Sequence, residues 1–270
     1  NNIMRSQGRA FFSMLGLSFG GVLNIILDPI FIFVFKLGIG GAAIATLISQ
    51  FISFGILLFL CLRKNDMVKL KFKYISKEFE IYSGIIKRGI PSFSRQSLAS
   101  IATILLNLNA MVYGDAAVSA MSIVGRIAFI MTSVLLGFGQ GFQPVAGFAY
   151  GAKKYKRLRK AFKFTILSGM TLLFITSVIC FAFSKGIIMT FRKNDLDVIR
   201  IGTFALRLQC ITMFLQPVSI ISNMLLQFVD RPLEATLTSI SRQGLFFIPV
   251  ILILPRITGL WGVQASQPLS

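Results

Sequence analysis

Long apolar runs separated by short polar ones make up most of this chain. Runs of about 20 residues, long enough to cross a hydrocarbon core, fall at 11–35, 40–62, 90–112, 116–150, 161–184, 198–228 and 232–254, and another opens near Gly259. Each predicts a helix, because a backbone in lipid must satisfy its own hydrogen bonds. The run at 116–150 is too long for one straight crossing. Its second half carries Gly137, Gly139, Gly141, Pro144 and Gly147, which predicts a bent or broken helix. One connection is long and polar: 63–88, RKNDMVKLKFKYISKEFEIYSGIIKR, reads as a linker between two helical bundles.

Composition sharpens this to a polytopic all-α membrane protein. Of the 270 residues 55% are hydrophobic and only 14% charged, against about 25% charged in soluble domains, and the mean hydropathy is +0.78. The net charge of +19 does not imply nucleic acid, because Lys and Arg crowd the cytoplasmic loops of membrane proteins. Here Arg5, Arg9, the 63–88 and 151–163 stretches and Arg231 hold eighteen basic residues. The opposite side has five: Lys36, Lys185, Arg192, Lys193 and Arg256. The first set therefore faces the cytoplasm. The absence of His excludes a His-ligated metal and a His general base. Cys61, Cys180 and Cys210 have no metal-ligand spacing and read as apolar fillers. No cofactor is expected.

A weak internal repeat recurs at a spacing of about 221. Asn2-Ile3-Met4 matches Asn223-Met224-Leu225, Arg9 matches Arg231, and Asp28-Pro29 falls beside Ile248-Pro249. The turn LGIGGAAIA (37–45) matches TGLWGVQAS (258–266). Paired repeats are a mark of secondary transporters. The chain starts NNIMRSQG, without the basic n-region of a signal peptide, and ends in mid-pattern at GVQASQPLS. A longer transporter is expected around it.

Inside the first span, VLNIILDPIFIF carries an acid at bilayer depth, at a cost of about 2.5–3.5 kcal/mol on insertion scales. Gly20, Asn24 and Asp28 follow at i, i+4 and i+8, with Gly21 at i+3 before Asn24, and form a small polar stripe on an Ile/Leu/Phe helix. Pro29 has no N–H, so the Ile25 carbonyl loses its intrahelical donor. In the next span Ala42, Thr46, Ser49 and Ser53 share a face, and Thr46 offers a hydroxyl. Together these form a nest of oxygens for a small cation. Against this stands Asp28 as a structural acid at a helix end or paired with Lys36, and Asn24 and Thr46 as interhelical hydrogen bonders. Desolvation makes a buried acid take up a proton, whereas several hard oxygens suit Na⁺. The coupling ion stays open between the two.

Five stretches carry a family resemblance: NNIMRSQG, NIILDPIFIFVFKLGIGGAAIATLISQ, GIPSFSRQSLASIATILLN, GFGQGFQPVAGFAYGAKKYKR and SRQGLFFIPVILILP. In this order the chain resembles the multidrug and toxic compound extrusion (MATE) transporters, nearest their bacterial DinF-like branch. The resemblance implies twelve helices in two six-helix lobes around a cavity open to alternate sides. Residues 1–62 would then end the N-lobe (the tail of helix 4, helices 5 and 6), 63–88 would link the lobes, and 89–270 would form helices 7 to 11 and the start of helix 12. It also implies an N-lobe cation site lined by an Asn-x-x-x-Asp pair and a Thr, which Asn24, Asp28 and Thr46 match in type and spacing.

The second half departs from those relatives that place an acid inside helix 7 or helix 10; its spans contain none. It carries uncharged polar groups instead. Gln96, Asn107, Gln140, Gln143, Pro144 and Gln243, with Asn109, Gln209 and Gln216 beside them, are candidate cavity residues near Phe93, Phe138, Phe142, Met213 and Phe246. Aromatic and Met surfaces suit promiscuous binding of flat organic cations. The competing reading is lipid-facing Phe and interhelical Gln contacts. Arg95 and Arg242 are expected near the cytoplasmic interface, and Arg126, ten residues into its span, has no assigned role.

Together these features predict a monomeric, multi-pass antiporter of a bacterial cytoplasmic membrane. It would be coupled to H⁺ or Na⁺, hinged at Pro29, and export small cationic amphipathic drugs. A lipid-linked oligosaccharide flippase of the same superfamily is the alternative, weakened because the basic residues sit mostly in loops. An intramembrane enzyme lacks its metal cluster or paired acids.

Overall fold

The computed structural model describes residues 4–5, 8–62, 78–193, 195–229 and 231–269, without the side chains of Ala10, Arg88, Pro91, Phe228, Pro232 and Gln243. Every element among the described residues is helical. The chain divides into two compact units between Lys77 and Glu78. Of the stretch read as a linker, 63–77 lies outside the described residues.

The first unit is a helical hairpin. Helix α1 (Ala10–Pro29) continues through a π-helical turn (Ile30–Val34) and returns as α2 (Gly38–Leu62). Small residues make the seam. A Cβ on Gly16 would fall 2.5 Å from Leu57 Cδ2, and one on Gly20 would fall 2.6 Å from Ser53 Cβ. The bare backbone lets Ser53 Oγ donate to the Gly16 carbonyl at 2.8 Å. Between helices in lipid, such close packing and hydrogen bonding replace the hydrophobic drive. Gly21, expected on the same stripe, is exposed and would have nothing within 4 Å of a Cβ. It stands off the seam because it lies one residue, about 100° of helix, beyond Gly20.

The second unit contains α3 (Phe79–Met111), α4 (Asp115–Gly151), α5 (Tyr155–Ala182), α6 (Ser184–Phe191), α7 (Leu196–Met213) and α8 (Gln216–Phe228). Then α9 (Pro232–Ile240) passes through a second π turn (Ser241–Phe246) into α10 (Phe247–Thr258), followed by α11 (Leu260–Leu269). Helix α4 is central and packs on α3, α5, α7 and α8. Its buried Ala117, Met121, Val124, Ile127, Met131, Leu135, Phe142 and Ala146 recur at the helical period, one stripe per turn.

Five described helical stretches are long and apolar enough to cross a membrane: Phe11–Val34, Gly38–Leu62, Asp115–Gly151, Tyr155–Ala182 and Leu233–Thr258. Helices α7 and α8 make a sixth only as a pair bent by 53°. The single span expected at 198–228 is therefore broken. Pro217 explains the place, because it offers no N–H to the Met213 carbonyl four residues back. Of the bent or broken helix expected at 116–150, the break does not occur: α4 runs uninterrupted through Pro144 and its glycines. Packing on several neighbours holds it together, with Leu135, Gly139, Phe142, Ala146 and Ala149 all buried there. The helix expected at 90–112 begins at Phe79, ten residues inside the stretch read as linker. It carries Arg95, Gln96, Asn107 and Asn109 and is not among the five apolar stretches.

The repeat is visible in the backbone. Gly38 and Gly259, 221 residues apart, open the re-entering helices with φ of 55° and 66°, a region glycine enters freely. Three residues on, a Cβ on Gly41 would fall 2.7 Å from the Phe31 carbonyl oxygen, and one on Gly262 would fall 2.5 Å from the Leu254 carbonyl carbon. Each copy also has a π turn near a proline, directly after Pro29 in one and three residues before Pro249 in the other.

Candidate functional site

The small-residue seam of the first unit leads directly to the polar residues singled out in its spans. One turn beyond Gly20, the Asn24 amide donates to Asp28 Oδ1 at 3.1 Å and reaches Thr46 Oγ at 3.4 Å on the facing helix. The Thr46 hydroxyl is itself oriented, donating to the Ala42 carbonyl at 2.9 Å. The structure thus brings Asn24, Asp28 and Thr46 into one hydrogen-bonded set, with Asn24 and Asp28 half-buried and Thr46 exposed. Among the described residues no ion pair joins Asp28 to Lys36, so the alternative partner is not engaged.

The geometry has a chemical reading. The Asn24 amide places its partly positive N–H groups between a carboxylate and a hydroxyl oxygen, the position a small cation would take. Turning that amide over would present Oδ1 instead and complete a set of hard oxygens of the kind that small cations select. Pro29 closes the cluster on one side. It leaves the Ile25 carbonyl without its usual donor, and the helix relaxes into the π turn, where Phe35 N–H reaches the Ile30 carbonyl at 3.0 Å. Such turns recur at functional sites.

The second set of candidates is dispersed. Gln96 is exposed on α3 and Asn107 half-buried three turns further along. Gln140, Gln143 and Pro144 are half-buried on α4, and the side chain of Gln243 lies outside the described residues. Of the neighbours, Phe93 and Phe246 are well exposed, but Phe142 and Met213 are core residues at 4% and 0% exposure and line nothing. Gln209 is buried, Gln216 accepts from Thr132 Oγ at 3.2 Å, and Asn109 folds back on the Leu105 carbonyl of its own helix. Arg126 is exposed on α4.

Sequence reasoning missed a buried polar knot. Asn223 Nδ2 on α8 lies 2.6 Å from the Ala235 carbonyl, 2.8 Å from Thr238 Oγ and 3.0 Å from Ser239 Oγ, all on α9. Gln227 donates to Asn223 Oδ1 at 2.8 Å and accepts from Ser92 Oγ on α3 at 3.4 Å. The i, i+4 spacing of Asn223 and Gln227, followed by Thr238-Ser239 after one turn of chain, was the available signal.

Several apolar spans, a two-copy helix–turn–helix repeat and an acid-bearing polar cluster inside one span define a multi-pass membrane protein built like a secondary transporter. The MatE family model matches residues 91–253, and the chain belongs to this family, whose members are transporters and not enzymes. Among curated proteins it is 29% identical over 262 residues to the multidrug export protein MepA of Staphylococcus saprophyticus, a match covering 97% of this chain and 57% of that protein. The MepA protein of Staphylococcus aureus strain MSSA476 is likewise 29% identical, over 96% of this chain. Among solved structures, a MATE protein in complex with MaL6 superposes with a TM-score of 0.90 at 26% identity, over 99% of this chain and 61% of that one. An outward-facing multidrug resistance MATE transporter superposes with a TM-score of 0.89 at the same identity, over 99% of this chain and 60% of its own. The chain therefore spans little more than half the length of these relatives.

Proposed function

We propose that this chain is part of a cation-coupled multidrug antiporter. It would export small, mostly cationic amphipathic compounds across a bacterial cytoplasmic membrane by alternating access, as a monomer, without cofactor and without nucleic acid. The single observation that carries the reading is the Asn24–Asp28–Thr46 cluster beside Pro29 and its π turn. The name of the MepA relatives, multidrug export protein, supports the export half and drugs as the compounds exported. It favours export over the flippase alternative.

In this mechanism H⁺ or Na⁺ arrives at Asp28, and the Asn24 amide releases the carboxylate. Turned over to present Oδ1 to the cation, the amide no longer donates to Thr46 and that tie between α1 and α2 is lost. The turn at 30–34, already free of the regular i→i−4 ladder, absorbs the change of helix direction. Gln96, Asn107, Gln140, Gln143, Pro144 and Gln243 are the proposed drug contacts. Cells making the full-length transporter and loaded with ethidium test the coupling. Asp28→Asn is expected to abolish energised efflux while the protein still reaches the membrane. Efflux by the Asn variant at the wild-type rate would contradict the assignment.

A further inference from the structure

Helix α5 carries its charge at one end and largely on one side. The turn that feeds it and its first turns, 151–163, hold seven basic residues and no acid. Of these, Lys156, Arg159, Lys160 and Lys163 follow at i, i+3, i+4 and i+7 and share one face, and all four are exposed. The same face continues along the span as Phe164, Leu167, Phe174 and Val178, exposed as well. On the other side Leu158, Thr165 and Leu173 are buried, where α5 packs on α4, α7 and α8.

Lengths place the two parts. The 28 residues of α5 extend about 42 Å, the thickness of a bilayer with its headgroups. The apolar part from Phe164 to Ala182 takes about 28 Å of this, close to the depth of a hydrocarbon core. Tyr155 to Lys163 therefore falls in the headgroup layer, on the side that the count of Lys and Arg makes cytoplasmic. Tyr150 and Tyr155, with ring centroids 6.2 Å apart, mark the same level, since such residues collect at membrane–water boundaries.

The charge has no partner within the protein. Among the described residues no ion pair joins 151–163 to a carboxylate. The first turn of α5 has no acidic residue, so its cations stand at the positive end of the helix dipole, where each is unfavourable. They also repel one another at i, i+3 and i+4. Anions from outside relieve both costs.

We propose that this face of α5 binds anionic phospholipid headgroups of the cytoplasmic leaflet. Their phosphates are the anions that lie at the depth of Lys156 to Lys163, and their acyl chains run along Phe164, Leu167, Phe174 and Val178. A lipid satisfies both halves of the face at once, whereas a soluble polyanion satisfies only the basic half. The site does not rest on the export reading above.

Full-length protein carrying Phe164→Trp tests this in bilayers that mix phosphatidylcholine with brominated phosphatidylglycerol, with brominated phosphatidylcholine as the reference. Bromine on a neighbouring acyl chain quenches the Trp, and the parent protein without that Trp supplies the background. At low salt phosphatidylglycerol is expected to occupy the site about fivefold over phosphatidylcholine, the scale of one basic side chain at an anionic surface. The preference should fall towards unity at about 1 M salt, where charges act over only about 3 Å. Lys156→Gln, Arg159→Gln, Lys160→Gln and Lys163→Gln together should abolish it at low salt, while Arg at the three lysines should retain it. Equal quenching by the two lipids at low salt overturns the proposal and leaves the basic face to a soluble polyanion. A preference that survives the four Gln substitutions overturns it as well. If the Gln protein does not reach the membrane, the salt titration of the Trp reporter decides: a preference that salt removes upholds the site, and one that salt leaves unchanged refutes it.

Discussion

Asn24 and Asn223 show how one residue type does two jobs. The Asn24 amide holds an acid and a hydroxyl on a half-exposed face and can exchange its N–H groups for its oxygen. The Asn223 amide is 7% exposed and surrounded by acceptors from the next helix, so it has no room to change partners. Asn223→Ala removes the bonds that tie α8 to α9, leaves the Gln227 amide without its acceptor and is expected to cost about 1–3 kcal/mol. Asn109→Ala loses only a bond back to its own helix and should change stability by less than about 0.5 kcal/mol. Thermal unfolding of the two purified variants against wild type measures the difference. The Asn24–Asp28 pair could be read from the sequence because an i, i+4 contact is a property of one helix. Thr46 was legible as a face partner, but its pairing with Asn24 came through the family resemblance. The partners of Asn223 lie across a turn and on a third helix, and no local spacing names them.

At the scale of elements, backbone approach rather than hydropathy fixes the hairpins. Gly41 and Gly262 sit where the returning helix crosses main-chain atoms of the outgoing one, and a methyl group there must push backbone aside. Gly41→Ala and Gly262→Ala are each expected to destabilise by about 1–3 kcal/mol, the usual cost of overpacking. Gly40→Ala, with open space at its Cβ, should be neutral in the same melting experiment. Apolar runs gave the number and approximate ends of most helices. Prolines were ambiguous: Pro217 breaks a span at a 53° bend, while Pro144 leaves α4 whole because buried neighbours hold it from several sides. The sequence could not separate these cases, since the outcome depends on what packs around each proline. The same limit hid the true start of α3 at Phe79: its first turns are too polar to read as a span, yet they are helical.

Across the whole molecule, a duplicated helix–turn–helix frame carries opposite chemistry in its two copies. The glycine geometry at 38 and 41 recurs at 259 and 262. The span before it has an acid with an amide in the first unit, and an arginine in the second. This asymmetry supports the proposal that a coupling cation binds in the first unit, which is the central claim. The repeat was legible as a weak spacing, and the shared backbone constraints give it a physical cause. The most direct measurement is drug binding to the purified full-length protein, with ethidium titrated at low and saturating H⁺ or Na⁺. If the cation and the drug compete through Asp28, the cation weakens wild-type ethidium affinity by about 5- to 150-fold, the range of typical coupling energies, while Asp28→Asn binds ethidium equally well with or without it. An Asn variant as cation-sensitive as wild type would contradict the account.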